Sequence, residues 1–540
     1  MDKRNMERAE IEAVYGKISP FELRKKLVSL AEGQVKNTRT LLNAGRGNPN
    51  WTAALPREAF FSFGQFAALE CRRTQMGRDI AGVPHREGIA GRFREFLEKN
   101  ADTPGAVLLS RILEYGAASR FDPDAWIYEL VDGVIGDHYP MPGRMLCLCE
   151  AAVRDYITSA LCRGNASAPL DLFAVEGGTA AMCYIFDSLF ANGLLSRGDT
   201  IAVMSPIFTP YLEIPHLPRY GFRVLEVCAS EKTADGAHTW QYPESELEKL
   251  GDASVKALFT VNPSNPPSVA MRRGSVEFLA QLVRERNPNL MVITDDVYCT
   301  FCDEYLSLLS ALPYNTIGVY SFSKYFGVTG WRLGVIALQR ENVFDKLLRA
   351  LPDSDKQILA VRYGGISTRP EEIPFLERIV ADSRHVALYH TAGLSTPQQV
   401  QMAFCAIYDL TDPGHGYRLQ TRAICHKRQK LLYEGLGLKL PDGPLNAAYY
   451  TEFDLMEWAC QNYGSPFADF LQKNYKPVDV LLRLAEKSSI VLLNGGGFHG
   501  PEWSVRISLA NLEDESYLQI GKYLHAALEE YADAYSLQKK

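Results

Sequence analysis

At 540 residues the chain is long enough for two or three domains, and 46% hydrophobic with 22% charged residues is an ordinary globular composition. A net charge of −7 gives no basic footprint for nucleic acid or an anionic membrane, and no apolar run approaches the ~18 residues of a membrane span. With a start, Met1-Asp2-Lys3-Arg4-Asn5-Met6-Glu7, too polar for a signal peptide, the composition points to a cytoplasmic protein with a small-molecule partner. The eleven cysteines, scattered from Cys71 to Cys460, do not form a secreted disulfide framework. Cys147-x-Cys149 and Cys299-x-x-Cys302 are the two close pairs; the second has half-zinc or redox spacing, but no second C-x-x-C completes a tetrahedral site, so no metal is expected.

Residues 1–40 read as helical and polar, with Arg24, Lys25 and Lys26 beside Leu23, Leu27 and Leu30. Leu42 to Trp51 is rich in glycine and asparagine, which excludes regular structure and makes a loop able to approach a ligand closely. Arg46 lies within it. From Pro56 to Ile135 the pattern is mainly helical and carries no motif. Asp137 to Gly143 reads as a turn, followed by an amphipathic helix through Ala160.

Between about residues 170 and 338 short apolar runs alternate with helical patterns: Leu172–Val175, Thr200–Met204, Ala257–Val261, Leu290–Thr294 and Ile317–Tyr320. Such alternation predicts an α/β domain with a mostly parallel sheet covered on both faces, whose ligands sit beyond the carboxyl ends of the strands. Residues 340–430 are helical again. Strands at 449–454, 490–494 and 504–508 then predict a smaller α+β unit. The division expected is 1–135 (arm and small-domain part with a helical insertion), 136–414 (large α/β domain, with an insertion at about 351–381) and 415–540 (small domain).

Every chemistry-bearing motif falls at one of those strand ends. Ser321-Phe322-Ser323-Lys324 follows one of them, and a lysine so placed can hold an aldehyde as a Schiff base. If that aldehyde is pyridoxal phosphate, Ser321, Ser323 and Arg332 can meet its phosphate, the arginine through its planar fork. Glu176-Gly177-Gly178-Thr179 opens a helix whose N-terminus favours phosphate at Gly178 and Thr179. Phe208 can lie flat on the cofactor ring. Asn265, in Asn262-Pro263-Ser264-Asn265-Pro266, can donate to the ring's phenolic oxygen and is also a candidate substrate contact. Asp295 ends an apolar strand; a buried carboxylate needs a cation, which a protonated pyridine nitrogen supplies, while Tyr298 can bond the ring hydroxyl. For each motif alone a plain turn or core residue is the competing reading.

The order and spacing of these six motifs resemble the fold type I pyridoxal-phosphate enzymes, the aspartate aminotransferase superfamily. That resemblance implies that Arg506, in Ser504-Val505-Arg506-Ile507-Ser508, grips the substrate α-carboxylate, and that Tyr139, in Tyr139-Pro140-x-x-Gly143, reaches the cofactor phosphate of a partner subunit. Ser268 departs from the pattern, since many relatives have glycine there. The length, the Leu42–Trp51 segment and His390-Thr391-Ala392-Gly393 to Gln399 resemble the aspartate 4-decarboxylase family along essentially the full chain. What this implies is β-decarboxylation of L-aspartate to L-alanine and CO2, a side aspartate aminotransferase activity on keto acids, and a homodimer at least, assembled into a larger homo-oligomer (a dodecamer in that family). A dicarboxylate needs a second cation, for which Arg46 is the first candidate, with Arg384 and Lys26 behind it. Two rival readings are a plain aspartate or aromatic aminotransferase, and a pyridoxal-phosphate-dependent transcription regulator. The regulator would need a basic helix-turn-helix segment, and residues 1–50, though richer in basic than acidic side chains, show no such pattern.

Overall fold

The structure, a computed structural model, describes residues 18–35, 40–138, 143–164, 169–386, 393–441 and 443–538. The described residues open with a helix at Pro20–Val35 and a two-residue strand, β1 (Leu42–Asn43). Four helices follow, Ala54–Arg73, Ile89–Lys99, Ala106–Ala118 and Pro123–Ile135, then the helix Cys147–Cys162. The boundaries of the helix Pro123–Ile135 are written locally. Asp122 accepts the Ala125 N–H at 2.7 Å just before Pro123, and Gly136, at φ 76°, ends the same helix in the left-handed region.

The large sheet is built from β2 (Leu170–Val175), β3 (Thr200–Ser205), β4 (Arg223–Cys228), β5 (Val255–Val261), β6 (Met291–Asp295), β7 (Thr316–Ser321) and β8 (Gly334–Gln339), in the order β2-β8-β7-β6-β5-β3-β4. β7, β6, β5, β3 and β4 run parallel, and β8 is antiparallel to both its neighbours, β2 and β7. Every residue of β6 and β7 is buried, as expected of strands covered on both faces. Two strands escape the sequence reading. β4 is an edge strand whose Arg223 and Glu226 break the apolar pattern, and β8 follows the Lys324 motif too closely to stand out as a separate run.

Beyond a helical stretch (Val343–Arg349, Asp353–Tyr363, Phe375–Ser383, Thr396–Leu410, Gly416–Leu436) come β9 (Tyr450–Asp454), β10 (Ile490–Val491), β11 (Leu493–Asn494), β12 (Ser504–Ser508) and the closing helix Asp514–Gln538. β11, β12 and β9 form a three-stranded antiparallel sheet. The expectation that Leu42–Trp51 lacks regular structure is corrected at its first two residues: β1 pairs in parallel with β10, and the Leu42 N–H reaches Ser489 O at 2.9 Å.

The N-terminal helices gain a structural role the sequence did not reveal. Phe63, Phe66 and Phe93 pack with centroids 4.8–5.9 Å apart, and Phe63 continues onto Phe404 of the helix Thr396–Leu410. Buried Glu70 is held by Arg73 and Arg92, each at 2.7 Å, so its charge is paired rather than stranded. From this bundle Arg57 donates to Gly327 O at 2.7 Å and to Phe326 O at 3.3 Å, while Trp51 Nε1 donates to Tyr325 O at 3.2 Å. The helices thereby brace the loop that carries Lys324. Among the described residues no helix is long and apolar enough to cross a membrane.

Candidate active site

The carboxyl ends of β2, β3, β5, β6 and β7 open onto one cavity of about 270 Å³. The last residue of each strand or the turn after it supplies the lining: Gly178 and Thr179, Phe208 and Tyr211, Asn265, Asp295 and Tyr298, and Ser321, Ser323 and Lys324. Arg332 and Arg506 complete the set of expected residues around it.

Lys324 Nζ donates to Gly47 O at 3.0 Å, and Tyr449 OH donates to the same carbonyl at 2.9 Å. The Arg46-Gly47-Asn48 loop therefore rests on the amine. A Cβ at Gly47 would lie 2.5 Å from Tyr450 OH and 3.4 Å from Lys324 Nζ, so only glycine allows this approach.

At the end of β6, Asp295 Oδ2 accepts the Tyr211 OH at 2.6 Å and its Oδ1 accepts the Val297 N–H at 3.2 Å. Burial pushes the Asp295 carboxyl up to about 6, although Tyr211, Val297 and the Lys324 charge pull it back. Its neighbour Asp296 is raised to about 7 by burial, against the Ser307 and Thr294 hydroxyls that bond it at 2.7 Å. Tyr298, whose phenol burial holds well above its usual value, donates to Tyr450 OH at 3.1 Å.

Beside Asp295 and Tyr211, at Gly178 and Ser321, lies an anion cradle. The Ser321 and Ser323 hydroxyls are 3.0 Å apart, next to the N-terminus of the helix Gly178–Ala191. Arg332 donates to Glu176 O at 3.1 Å and to Thr329 O at 3.0 Å. A Cβ on Gly177, itself at φ 93°, would sit 2.5 Å from Arg332 Nη2. This donor set fits pyridoxal phosphate: hydroxyls, a helix N-terminus and a guanidinium for the phosphate, a buried carboxyl in want of a cation for the ring nitrogen, and an amine for the aldehyde. Phe208 lines the cavity, with its ring edge-on to Tyr211 at 5.4 Å and to Phe21 at 5.8 Å.

Arg506 is buried in the middle of β12. Its Nη1 donates to Asn265 Oδ1 at 3.2 Å and its Nη2 to Gly45 O at 3.1 Å, while Nε has no partner. The guanidinium lies 4.4 Å from the Tyr450 ring centre and 4.9 Å from that of Phe498. Burial lowers its pKa, and among the described residues no carboxylate forms an ion pair with it.

The other candidates are placed differently. Arg46 is exposed and does not line the cavity, though the next two residues do. Arg384 is buried away from it, donating to Gly143 O at 2.9 Å, and Lys26 lies outside the lining. Tyr139 and His390-Thr391-Ala392 lie outside the described residues. Cys299 and Cys302 are both buried free thiols, Cys302 raised to about 12 by burial. The one group with metal-ligand spacing among the described residues is elsewhere, at His238, Asp454 and Glu457, where hydrogen bonds at 2.9 and 3.0 Å already account for the contacts.

Phe21, Tyr211 and Tyr450 went unnoticed in the sequence, whereas Gly47 and Asn48 belong to the loop expected to approach a ligand. Tyr211 had a signal, standing three residues after Phe208; Phe21 had none. Arg24, one turn on from Phe21, is half-buried, and burial and the charge of Arg46 both lower its pKa.

Residues 171–522 match the family described as aminotransferase class I and II. The chain is 45% identical, over 96% of its own length and 97% of the other's, to a bifunctional aspartate aminotransferase and L-aspartate beta-decarboxylase of Pseudomonas sp. It is 28% identical to an aspartate aminotransferase of Thermotoga maritima over 42% of this chain and 52% of that one. In fold it is similar to a double mutant of the Thermus thermophilus aspartate aminotransferase (TM-score 0.57, 19% identity, 94% of this chain and 95% of that one) and to a Pyrococcus protein (TM-score 0.59, 18%, 96% and 97%). With the strand-end motifs gathered in one cavity and both the family match and the full-length relative covering them, the chain belongs to the aminotransferase class I and II family.

Proposed function

We propose that this protein converts L-aspartate to L-alanine and CO2 with pyridoxal phosphate as cofactor, and exchanges amino groups between aspartate and keto acids as a side activity. The observation that carries this reading is the likeness to the bifunctional Pseudomonas enzyme along nearly the whole of both chains, too long to leave out the N-terminal bundle or the 353–383 helices. When bound, the cofactor supplies a protonated ring that takes up the electron pairs released at the substrate.

The residues divide the remaining work. Gly178, Thr179, Ser321, Ser323 and Arg332 hold the phosphate, and Asp295 keeps a positive charge on the ring nitrogen, with Tyr298 and Asn265 near the ring oxygen. Lys324 Nζ, freed by the incoming amino group, moves the proton at the substrate Cα as general base and acid. Arg506 fixes the α-carboxylate; its buried Nε, without a partner among the described residues, is a donor left over for that carboxylate. Phe21 and Phe208 exclude water. The departing β-carboxylate poses a different requirement, because a tight fork there would stabilise the state that has to be left. Exposed Arg46, beside the lining residues Gly47 and Asn48 and close to Arg24, supplies a looser positive field. Assembly into at least a homodimer, with Tyr139 reaching a neighbouring site, belongs to the same proposal.

Incubation with aspartate and no keto acid tests the reading: alanine and CO2 are expected in equal amounts over many turnovers. Amino transfer alone, with alanine absent, would leave a plain aminotransferase. Replacing Arg506 by alanine is expected to raise the KM for aspartate about ten- to hundredfold, the loss of one or two charge-assisted hydrogen bonds, with cofactor binding as the control. An unchanged KM would remove Arg506 from substrate binding.

A further inference from the structure

Residues directly opposite each other in an antiparallel pair share a face, so β9 and β12 set Tyr450, Glu452 and Asp454 against Ser508, Arg506 and Ser504. Glu452 is thus the cross-strand partner of Arg506. It is 5% exposed, and Arg506 is 1% exposed. The two nevertheless form no ion pair: Ser504 Oγ donates to Glu452 Oε1 at 2.7 Å, Oε2 has no partner, and Arg506 turns to Asn265 and Gly45. Gly495 and Gly500 close over the carboxyl so tightly that a Cβ on either would run into Oε1. Among the described residues no cation bonds the Glu452 carboxyl, and Arg506 acts on it only through space.

We propose that Glu452 is a positioning residue for substrate recognition: in its uncharged form it leaves Arg506 without an anionic partner inside the protein, and in its charged form it competes with the substrate carboxylate for that guanidinium. This rests on the reading of Arg506 as the α-carboxylate residue. Burial, and secondarily the charge of Asp454, raise Glu452 to about 8, against the pull of Ser504 and Arg506, so the uncharged form prevails at neutral pH. The charged groups around it are few. Asp454 is engaged by His238 Nε2 at 2.9 Å, with Glu457 at 3.9 Å from the same nitrogen. Arg506 in turn meets the phenols of Tyr450 and Tyr298 and the like charge of Arg24.

A second carboxylate arriving beside Arg506 makes ionisation of Glu452 harder still, so substrate and proton bind together. Linkage then requires dicarboxylate affinity to fall as pH rises past the Glu452 midpoint, approaching about tenfold per pH unit. The experiment is the Kd of succinate, a dicarboxylate that cannot react, between about pH 6 and pH 10 for the holoenzyme and its E452Q, S504A and R506K variants. Wild type is expected to lose about fivefold between pH 8 and pH 9, and nearly tenfold more by pH 10, beyond whatever E452Q loses. S504A, which removes a donor that favours the charged form, should carry the weakening to higher pH. Coincident pH profiles for wild type, E452Q and S504A would overturn the proposal. Undiminished binding by R506K would instead overturn the role of Arg506 itself.

Discussion

Replacing Lys324 by alanine is expected to lower the rate of aspartate conversion by at least about ten-thousandfold, because one amine both anchors the cofactor and moves the Cα proton. Pyridoxal phosphate should still bind, since Gly178, Thr179, Ser321, Ser323 and Arg332 are untouched. Three observations check this together. Purified wild type absorbs visible light, borohydride fixes the label on a single peptide containing Lys324, and the variant releases its cofactor on gel filtration in denaturant. A variant within about tenfold of wild type would show that Lys324 is not the base, whatever the likeness of the surrounding residues. The 3.0 Å contact to Gly47 O adds a corollary: Gly47→Ala, which leaves the amine in place but drives a methyl toward Tyr450 OH, should damage turnover while leaving label transfer to Lys324 intact.

How far the site could be read in advance depended on how its parts are separated along the chain. Lys324, Asp295, Asn265 and Phe208 each follow an apolar run closely, and parallel strands place all their carboxyl ends on one side of the sheet, so these residues converge by topology alone. Gly47 sits 277 residues from Lys324, and its contact depends on a loop path with no periodicity to follow. Phe21 reaches the cavity from the helix Pro20–Val35, whose sequence reads as a solvated surface. The pairing of Glu452 with Arg506 was hidden for another reason: each strand is readable, but register between them is set by the tertiary fold, and a shift of one residue would have put Glu452 on the other face. The bundle between residues 54 and 135 carried no motif because its contribution, Arg57 and its helix against the 325–331 loop, is mechanical.

Three carboxyls near the site, those of Asp295, Asp296 and Glu452, share one physical condition: burial raises all three well above the ordinary carboxylate range, to about 6, 7 and 8. Asp296 is answered by hydroxyls at the two sides of its carboxyl. Asp295 and Glu452 are not answered inside the protein to the same degree, and both face the cavity or the arginine that lines it. Such groups destabilise a protein that lacks its ligands. Their use is to be ready for a cation in one case and to stay out of an anion's way in the other.

Asp295→Asn separates these two consequences. Without a charge opposite the ring nitrogen, turnover of aspartate is expected to fall by at least about a hundredfold, the usual cost of removing an electrostatic group aimed at charge that develops during reaction. The cofactor-free variant should at the same time be more stable than wild type at neutral pH. The sign follows from proton binding: the folded-state pKa of about 6 lies above the value of about 3.9 for an unfolded chain, so folded Asp295 binds more protons between them. Wild type therefore loses stability as pH rises from about 4 to about 6, on the order of 2–3 kcal/mol in all, and does not regain it above that range. Asparagine keeps one oxygen for the Val297 N–H and turns its amide NH2 toward the Tyr211 hydroxyl, which can accept, and it has no proton to lose, so denaturant midpoints of the apo variant should exceed wild type at pH 7 and converge with it near pH 4. Adding pyridoxal phosphate should reverse the order, since only the aspartate can pair with the ring cation. An apo variant that is less stable than wild type at pH 7, or a holo variant that gains as much from the cofactor as wild type does, would mean that Asp295 is not the partner of the ring nitrogen.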